Sequence, residues 1–334
     1  PVESGAAKGQ AVASSRWPSK FAEALRRGAL GALLVHDSQR AADSLPRLRS
    51  YFAGERLLAS APADSPALQV SGFISDEAAR RLLLAAGLEL EKQQQAAQDR
   101  DFTPTSLRVR MSAQLQNQVR SVDSANVVGI LPGSDESLRS EAVVLTAHID
   151  QLAGAYDPEQ PESLVSLPAV RDRVVGAAGL LAMARATRQL PPPKRSLIFA
   201  FVSGHGESFA GAQRALKHLP QPAERVVAQL NLDGLNVGDS RPEILQIGRG
   251  KSSLDEVLDG LAAAQKRYVI ADPRPERGLF YRSESLVFAR AGIPVLFVAP
   301  PDLDSFLASD YLQTSDIFRE GWSFTGGAQD CALL

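Results

Sequence analysis

The sequence predicts an α/β domain on a largely parallel sheet, on three observations. Strand-length apolar runs recur along the second half of the chain, helix-spaced stretches separate them, and polar residues capable of chemistry stand where the runs end. The chain has 334 residues, 44% hydrophobic and 22% charged, enough to bury a core in one large or two medium domains. A net charge of −2 supplies no basic field, which disfavours nucleic acid or an anionic membrane as the main partner. The longest apolar runs, Leu197 to Val202 and Pro294 to Val298, fall far short of the roughly 20 residues that span a bilayer, so no transmembrane segment is expected. Cys331 is the lone cysteine and excludes an internal disulfide. The start at Pro1, without the charged start and apolar core of a signal peptide, reads as that of a trimmed chain.

Taken in order, Pro18 to Arg27 has helical spacing, and Gly28 and Gly31 bracket a turn into the apolar run Ala32 to Val35. Ser60 to Pro66 is small and Pro-bearing, as a loop. Ser75 precedes one long expected helix, Asp76 to about Ala97, with acids in its first turn. Leu107, Val109, Met111, Ala113 and Leu115 alternate with polar residues, which predicts a half-buried strand with a hairpin partner nearby at Asn126 to Leu131. Beyond it, buried-type strands are expected at Ala142 to Ala147, Leu197 to Val202, Ala228 to Leu232, Ile244 to Ile247 and Pro294 to Val298. Helices are expected at Ala177 to Gln189, Phe209 to Lys217, Leu254 to Gln265 and Leu286 to Ala291.

In such sheets ligands sit beyond the carboxyl ends of the strands. His148 and Asp150 close one strand and Asp233 another; any one of them could simply cap its strand. Together they are harder to dismiss, because imidazole and carboxylate are the usual zinc ligands where cysteine is absent.

Ordered motifs carry a resemblance. They are Asn-Val-Val-Gly-Ile-Leu-Pro-Gly (126 to 133), Ala-His-Ile-Asp (147 to 150), Gly-Ala-Ala-Gly-Leu-Leu-Ala-Met-Ala-Arg (176 to 185) and Lys-Arg-Ser-Leu-Ile-Phe (194 to 199). Asn-Leu-Asp (231 to 233), Phe-Tyr-Arg-Ser-Glu-Ser (280 to 285), Gly-Ile-Pro-Val-Leu (292 to 296) and Gly-Ala-Gln-Asp (327 to 330) follow. From about Asn126 onward the chain resembles the zinc-dependent aminopeptidases, a family that includes bacterial leucyl aminopeptidases and the inactive relatives transferrin receptor and nicastrin. The resemblance implies a three-layer, mostly parallel sheet with helices on both faces over residues 106–334. The earlier run Gly28 to Asp37 resembles a protease-associated domain, which implies a smaller, partial α+β insert over residues 1–105.

The family holds two zincs through a shared aspartate, with one histidine and one further carboxylate each, and a glutamate as general base. By resemblance His148 is the first zinc histidine, Asp172 the bridging aspartate and Asp233 a terminal carboxylate ligand. Asp150 is the carboxylate expected to orient His148 through its other ring nitrogen. Three positions depart. His205-Gly206 replaces a glutamate pair, removing the base and a zinc carboxylate, and Leu312 after Tyr311 replaces the second histidine. Arg173 sits beside Asp172, and its charge reads as filling the place of a cation. Glu284-Ser285 replaces an aspartate-histidine pair near the cleft, where Tyr281, Arg282, Glu284 and Tyr311 are expected.

These departures imply an aminopeptidase-like protein that is impaired or inactive, with a cleft kept for a peptide or protein ligand, and with one zinc at most. The alternative is an active single-zinc enzyme using His148, Asp172 and Asp233, with His205 or Glu207 as base or extra ligand. His205 could equally be a solvated residue of a Gly-His-Gly turn. The family also implies an extracytoplasmic location, secreted or periplasmic.

Overall fold

Glycine and helix-capping chemistry set the first elements of the structure, a computed structural model. It describes residues 17–38, 65–99, 101–150, 168–206, 209–311 and 313–334, with residues 45, 48, 49, 52, 155, 156, 164 and 165 between them. By compactness the chain divides into two units, one of Pro1–Arg49 with Ala61–Val122 and the other of Ser50–Ser60 with Asp123–Leu334.

In the first unit, helix α1 (Trp17–Arg26) leads through the expected glycine turn into β1 (Gly31–His36). That strand pairs in parallel with β2 (Val70–Ser75), from Gly31 opposite Val70 to His36 opposite Ser75. Trp17, Phe21 and Phe73 pack edge to face at 6.0 to 6.2 Å between ring centroids. Ser75 caps α2 (Asp76–Ala85), its Oγ accepting the Ala78 N–H at 3.1 Å. The single helix expected to Ala97 is instead two. Gly87, at φ +74, ends α2 in a Schellman turn with Leu88 N–H bonded to the Leu83 carbonyl at 2.9 Å, and α3 (Leu90–Ala96) starts afresh. The strand expected at Leu107 to Leu115 is absent. No ladder pairs this segment among the described residues, and Met111 and Leu115 stay about two-thirds exposed. Alternation supplies a face, but a strand is held by its neighbour's backbone groups.

In the second unit the expected strands appear as β3 (Val127–Leu131), β4 (Ala142–His148), β7 (Ser196–Val202), β8 (Val226–Asn231), β9 (Glu243–Ile247) and β11 (Val295–Ala299). Two further pieces, β5 (Ala155–Tyr156) and β6 (Leu164–Val165), pair only with each other, and β10 (Tyr268–Ala271) was not expected. The sheet order is β10-β9-β11-β8-β4-β7-β3. Pairing is parallel except where β9 meets β11 and where edge strand β3 meets β7, so β3 finds β7 rather than the expected hairpin partner.

Side chains alternate across this sheet. Val144, Ile198 and Phe297 enter one core with α5 (Ala210–Lys217) and α7 (Ser285–Arg290). Leu145, Phe199 and Leu296 enter the other, beneath α4 (Val175–Thr187), α6 (Leu254–Ala264) and α9 (Thr325–Leu333). Helices therefore cover both faces, as the resemblance implied. The helices α8 (Leu303–Ser309) and α9 were not expected. Because β4, β7, β8 and β11 run the same way, His148, Ser203 to His205, Asp233 and Pro300 to Asp302 all lie at one edge.

The Gly176-Ala-Ala-Gly179 motif has a packing reason. A Cβ on Gly176 would lie 2.5 Å from the Leu232 carbonyl oxygen, and one on Gly179 would lie 2.2 Å from Leu235 Cδ1. Only bare backbone lets α4 settle against the end of β8, where Asp233 begins. Gly176→Ala is expected to destabilise the second unit by about 1–3 kcal/mol in urea unfolding, because the opposing atom is backbone and cannot swing aside.

Candidate metal centre

His148 is the last residue of β4 and shares the face of Val144 and Thr146, so its imidazole points into the core and is 1% exposed. Its Nδ1 donates to the backbone carbonyl of Asp150 at 2.8 Å; a carbonyl only accepts, so this nitrogen carries the proton. Nε2 faces Asp233 Oδ1 at 3.4 Å, too far for a well-formed hydrogen bond, and is left buried without a partner.

The Asp150 carboxylate does not orient His148, contrary to expectation. It accepts the N–H groups of Gly204 at 2.6 Å and His205 at 3.3 Å, pinning the loop after β7. That pin turns His205 inward. Its ring stacks on His148 at 4.0 Å between centroids and 21° between planes, and meets the edge of Phe209. Its Nδ1 lies 2.7 Å from Glu284 Oε1, with both side chains nearly out of solvent. His205 is thus a held interior residue rather than a solvated loop residue.

Together His148, His205 and Asp233 each offer a ligand atom, all within 4.8 Å of one another, and they form the one such group among the described residues. The donor set is of the kind zinc takes, though the two imidazoles, stacked at 4.0 Å between centroids, would have to turn relative to one another for both Nε2 atoms to meet one ion. Both Nδ1 atoms are engaged, which leaves both Nε2 atoms for a metal. Two ligands at about 2.1 Å and a tetrahedral angle lie about 3.4 Å apart, the separation of His148 Nε2 and Asp233 Oδ1. Of the expected His148, Asp172 and Asp233, the first and last fall in this group with His205, and Asp172 lines the same cleft as His205 and Asp233.

Asp172 lies in a wide helical turn, Val170–Val174, that feeds α4. Asp316, which sequence reasoning used only as a landmark, builds this turn. Its carboxylate accepts the N–H of Arg171 at 2.8 Å and of Asp172 at 3.2 Å, and its backbone carbonyl accepts that of Val170 at 3.1 Å. Arg173 points away and donates to the Pro168 carbonyl at 3.2 Å, so it does not fill a cation's place. The guanidinium at the site is that of Arg171, which sequence reasoning missed. It forks onto Asp302 and lies 4.8 Å above the Phe306 ring.

A cleft partly open to solvent reaches Arg171, Asp172, His205, Asp233, Arg282 and Tyr311, against an apolar wall that includes Leu279, Leu303 and Phe306. Arg282 sits 5.9 Å from the Tyr311 ring centroid. Of the expected cleft residues, Tyr281 instead packs on Phe280 and Lys251, and Glu284 is buried beneath His205. Glu207 and Leu312 lie outside the described residues.

Charge in this cluster is unbalanced toward the negative. Burial pushes the Asp172 carboxyl up to about 6, with the nearby Asp233 and Asp316 charges adding to it against His148 and His205. Burial pulls His148 down, but Asp233, Glu284 and Asp172 outweigh it and hold the imidazole well above its ordinary value. Burial and His148 pull His205 down, yet Glu284 and Asp233 carry it upward. Burial raises Glu284, but His205 and His148 bring it down to about 2.

The sequence profile of peptidase family M28 matches residues 126–320, more than half of the chain. The chain belongs to peptidase family M28. A comparison with curated protein sequences gives no match. Among solved structures, an aminopeptidase from Aneurinibacillus sp. strain AM-1 superposes with a TM-score of 0.57 at 14% identity, covering 95% of this chain and 65% of the other. That likeness shows the fold alone. BSAP, a zinc aminopeptidase from Bacillus subtilis, matches at 19% identity and a TM-score of 0.46 over 62% of this chain and 47% of its own. LapB from Legionella pneumophila matches at 17% and 0.46, over 62% and 53%. The chain thus spans about half the length of the first structures it matches. No helix among the described residues is long and apolar enough to cross a membrane.

Protons and zinc compete for the same Nε2 atoms, and both imidazoles hold protons more tightly than usual. Zinc affinity is therefore expected to rise with pH through neutrality and beyond the ordinary imidazole range. Isothermal titration in buffers of different ionisation enthalpy should show protons released on binding.

Proposed function

We propose that this M28-family chain holds one zinc through His148, His205 and Asp233 and is impaired as an aminopeptidase, keeping its cleft for a peptide ligand. The placement of His205 carries the reading. It occupies the position that the resemblance gives to the general-base glutamate, yet it is turned onto His148 and tied to Glu284. An imidazole committed to a metal cannot also take a proton from water. Gly206 has no side chain to supply the second zinc's carboxylate, and leucine at 312 cannot ligate.

Charge favours a cation at this place. One dication would offset two of the three buried carboxylates gathered there, Asp172, Asp233 and Glu284, and Arg171 is already matched by Asp302. A bound zinc would act there as a Lewis acid toward a carbonyl oxygen. What this chain's residues contribute is the apolar wall that receives a side chain and the Asp150 grip that holds the loop of His205 in place.

Losing the base costs on the order of 10²–10⁴-fold in rate. Purified protein is expected to carry about one zinc per chain and to show little hydrolysis of a panel of aminoacyl amides. The combined change His205→Glu, Gly206→Glu and Leu312→His should raise turnover by at least about 10²-fold. Brisk turnover by the unaltered chain, abolished by His148→Ala, would sink the impairment.

One observation favours an active single-zinc hydrolase instead. Asp172 is buried in the cleft, outside the ligand group, with its carboxyl held near 6, so it could accept a proton above that pH. That reading predicts a rate rising through about pH 6 and lost in Asp172→Asn. We assign the first unit to a protease-associated insert on the run Gly28 to Asp37, and an extracytoplasmic location on the family resemblance. Fractionation of the source cells tests the location.

A further inference from the structure

Glu284 is hard to explain as a purely structural residue. Its side chain is 1% exposed, Oε1 meets His205 Nδ1 at 2.7 Å, and Oε2 is buried with no partner among the described residues. A half-satisfied carboxylate in the interior costs free energy that an apolar residue of similar volume would avoid. The backbone around it is independently anchored. Ser285 Oγ donates to Gln229 Oε1 at 3.0 Å, Gln229 Nε2 donates to Thr146 Oγ1 at 2.7 Å, and Thr146 donates to Asn231 Oδ1 at 2.6 Å. This buried chain ties the start of α7 to β8 and β4 and so presents Glu284 at a set distance from the end of β4. Ser285 and Gln229 thus anchor the backbone here through contacts that do not involve the carboxylate.

The forces acting on His205 divide cleanly. The Asp150 carboxylate holds its backbone N–H, and His148 and Phe209 sandwich the faces and edge of its ring. None of these contacts selects which ring nitrogen carries the proton. Glu284 does: a carboxylate only accepts, so it takes Nδ1–H and leaves Nε2 bare. Two departures from the family pattern, 79 residues apart, thus meet in one hydrogen bond.

We propose that Glu284 is the positioning residue for His205, fixing its tautomer through Nδ1 so that Nε2 is the nitrogen left for a metal. The proposal rests on the single-zinc reading above for its purpose, but its geometry can be tested without metal. The chain has only four histidines, so long-range ¹H–¹⁵N spectra of ¹⁵N-histidine protein are readily assigned.

In metal-free protein at alkaline pH, where the imidazoles are neutral, His205 is expected as the Nδ1–H tautomer. Observation of the Nε2–H form in the unaltered chain overturns the proposal, and that measurement needs no variant. Glu284→Leu is expected to abolish the tautomer bias and to weaken zinc binding about 10–100-fold in chelator competition, with Glu284→Asp recovering part of the loss. A Glu284→Leu protein that folds, keeps the bias or binds zinc as tightly as the unaltered chain also overturns it. If the unaltered chain takes no zinc while Glu284→Leu still loses the bias, the positioning stands and the single-zinc reading fails.

Discussion

The site depends first on parallel pairing. β4 lies between β7 and β8 and runs with both, so three strands deliver their carboxyl ends to one edge. His148, the Gly204-His205 loop and Asp233 are brought within bonding range by backbone ladders rather than by attraction between themselves. This matters because the groups are mutually uncomfortable: two imidazoles stack at 4.0 Å beside a cluster of carboxylates. Only a scaffold stabilised elsewhere, by apolar cores on both faces, can hold such an arrangement in place.

Within that frame, carboxylates do different work according to what they accept. Asp316 and Asp150 bond backbone N–H groups and shape the loops that carry Asp172 and His205. Glu284 bonds an imidazole, and Asp233 leaves Oδ1 facing a bare ring nitrogen. Asp302 neutralises Arg171, which would otherwise bring an unmatched charge beside the proposed ion. Sequence position alone does not distinguish these roles, since each is an acidic residue in or next to a loop.

That explains how the fold and the site were legible to different degrees. Runs such as Leu197 to Val202 are apolar on both faces because both faces are covered, and this burial is written in composition. The segment from Leu107 to Leu115 has the alternation without a partner strand, and no local signal reports a missing partner. The break at Gly87 was visible as a residue but was overridden by the helical propensity on either side. His148 and Asp233 were readable because they close apolar strands. Arg171 was not: the sequence does not say how the wide helical turn is phased, and so whether the guanidinium of 171 or of 173, two positions on, enters the cleft. The meeting of His205 and Glu284 likewise depends on tertiary placement, invisible to local pattern.

The two imidazoles end up with unequal acceptors. His148 gives its Nδ1–H to a neutral carbonyl, whereas His205 gives its own to a carboxylate. A charged acceptor raises ligand basicity more than a neutral one, so the Glu284 contact works against the burial that lowers His205. The resemblance places the basic carboxylate behind His148, and here it has moved behind the newcomer. In this arrangement the substitution at 205 does more than remove a base: together with Glu284 it places a second imidazole in the proposed metal site.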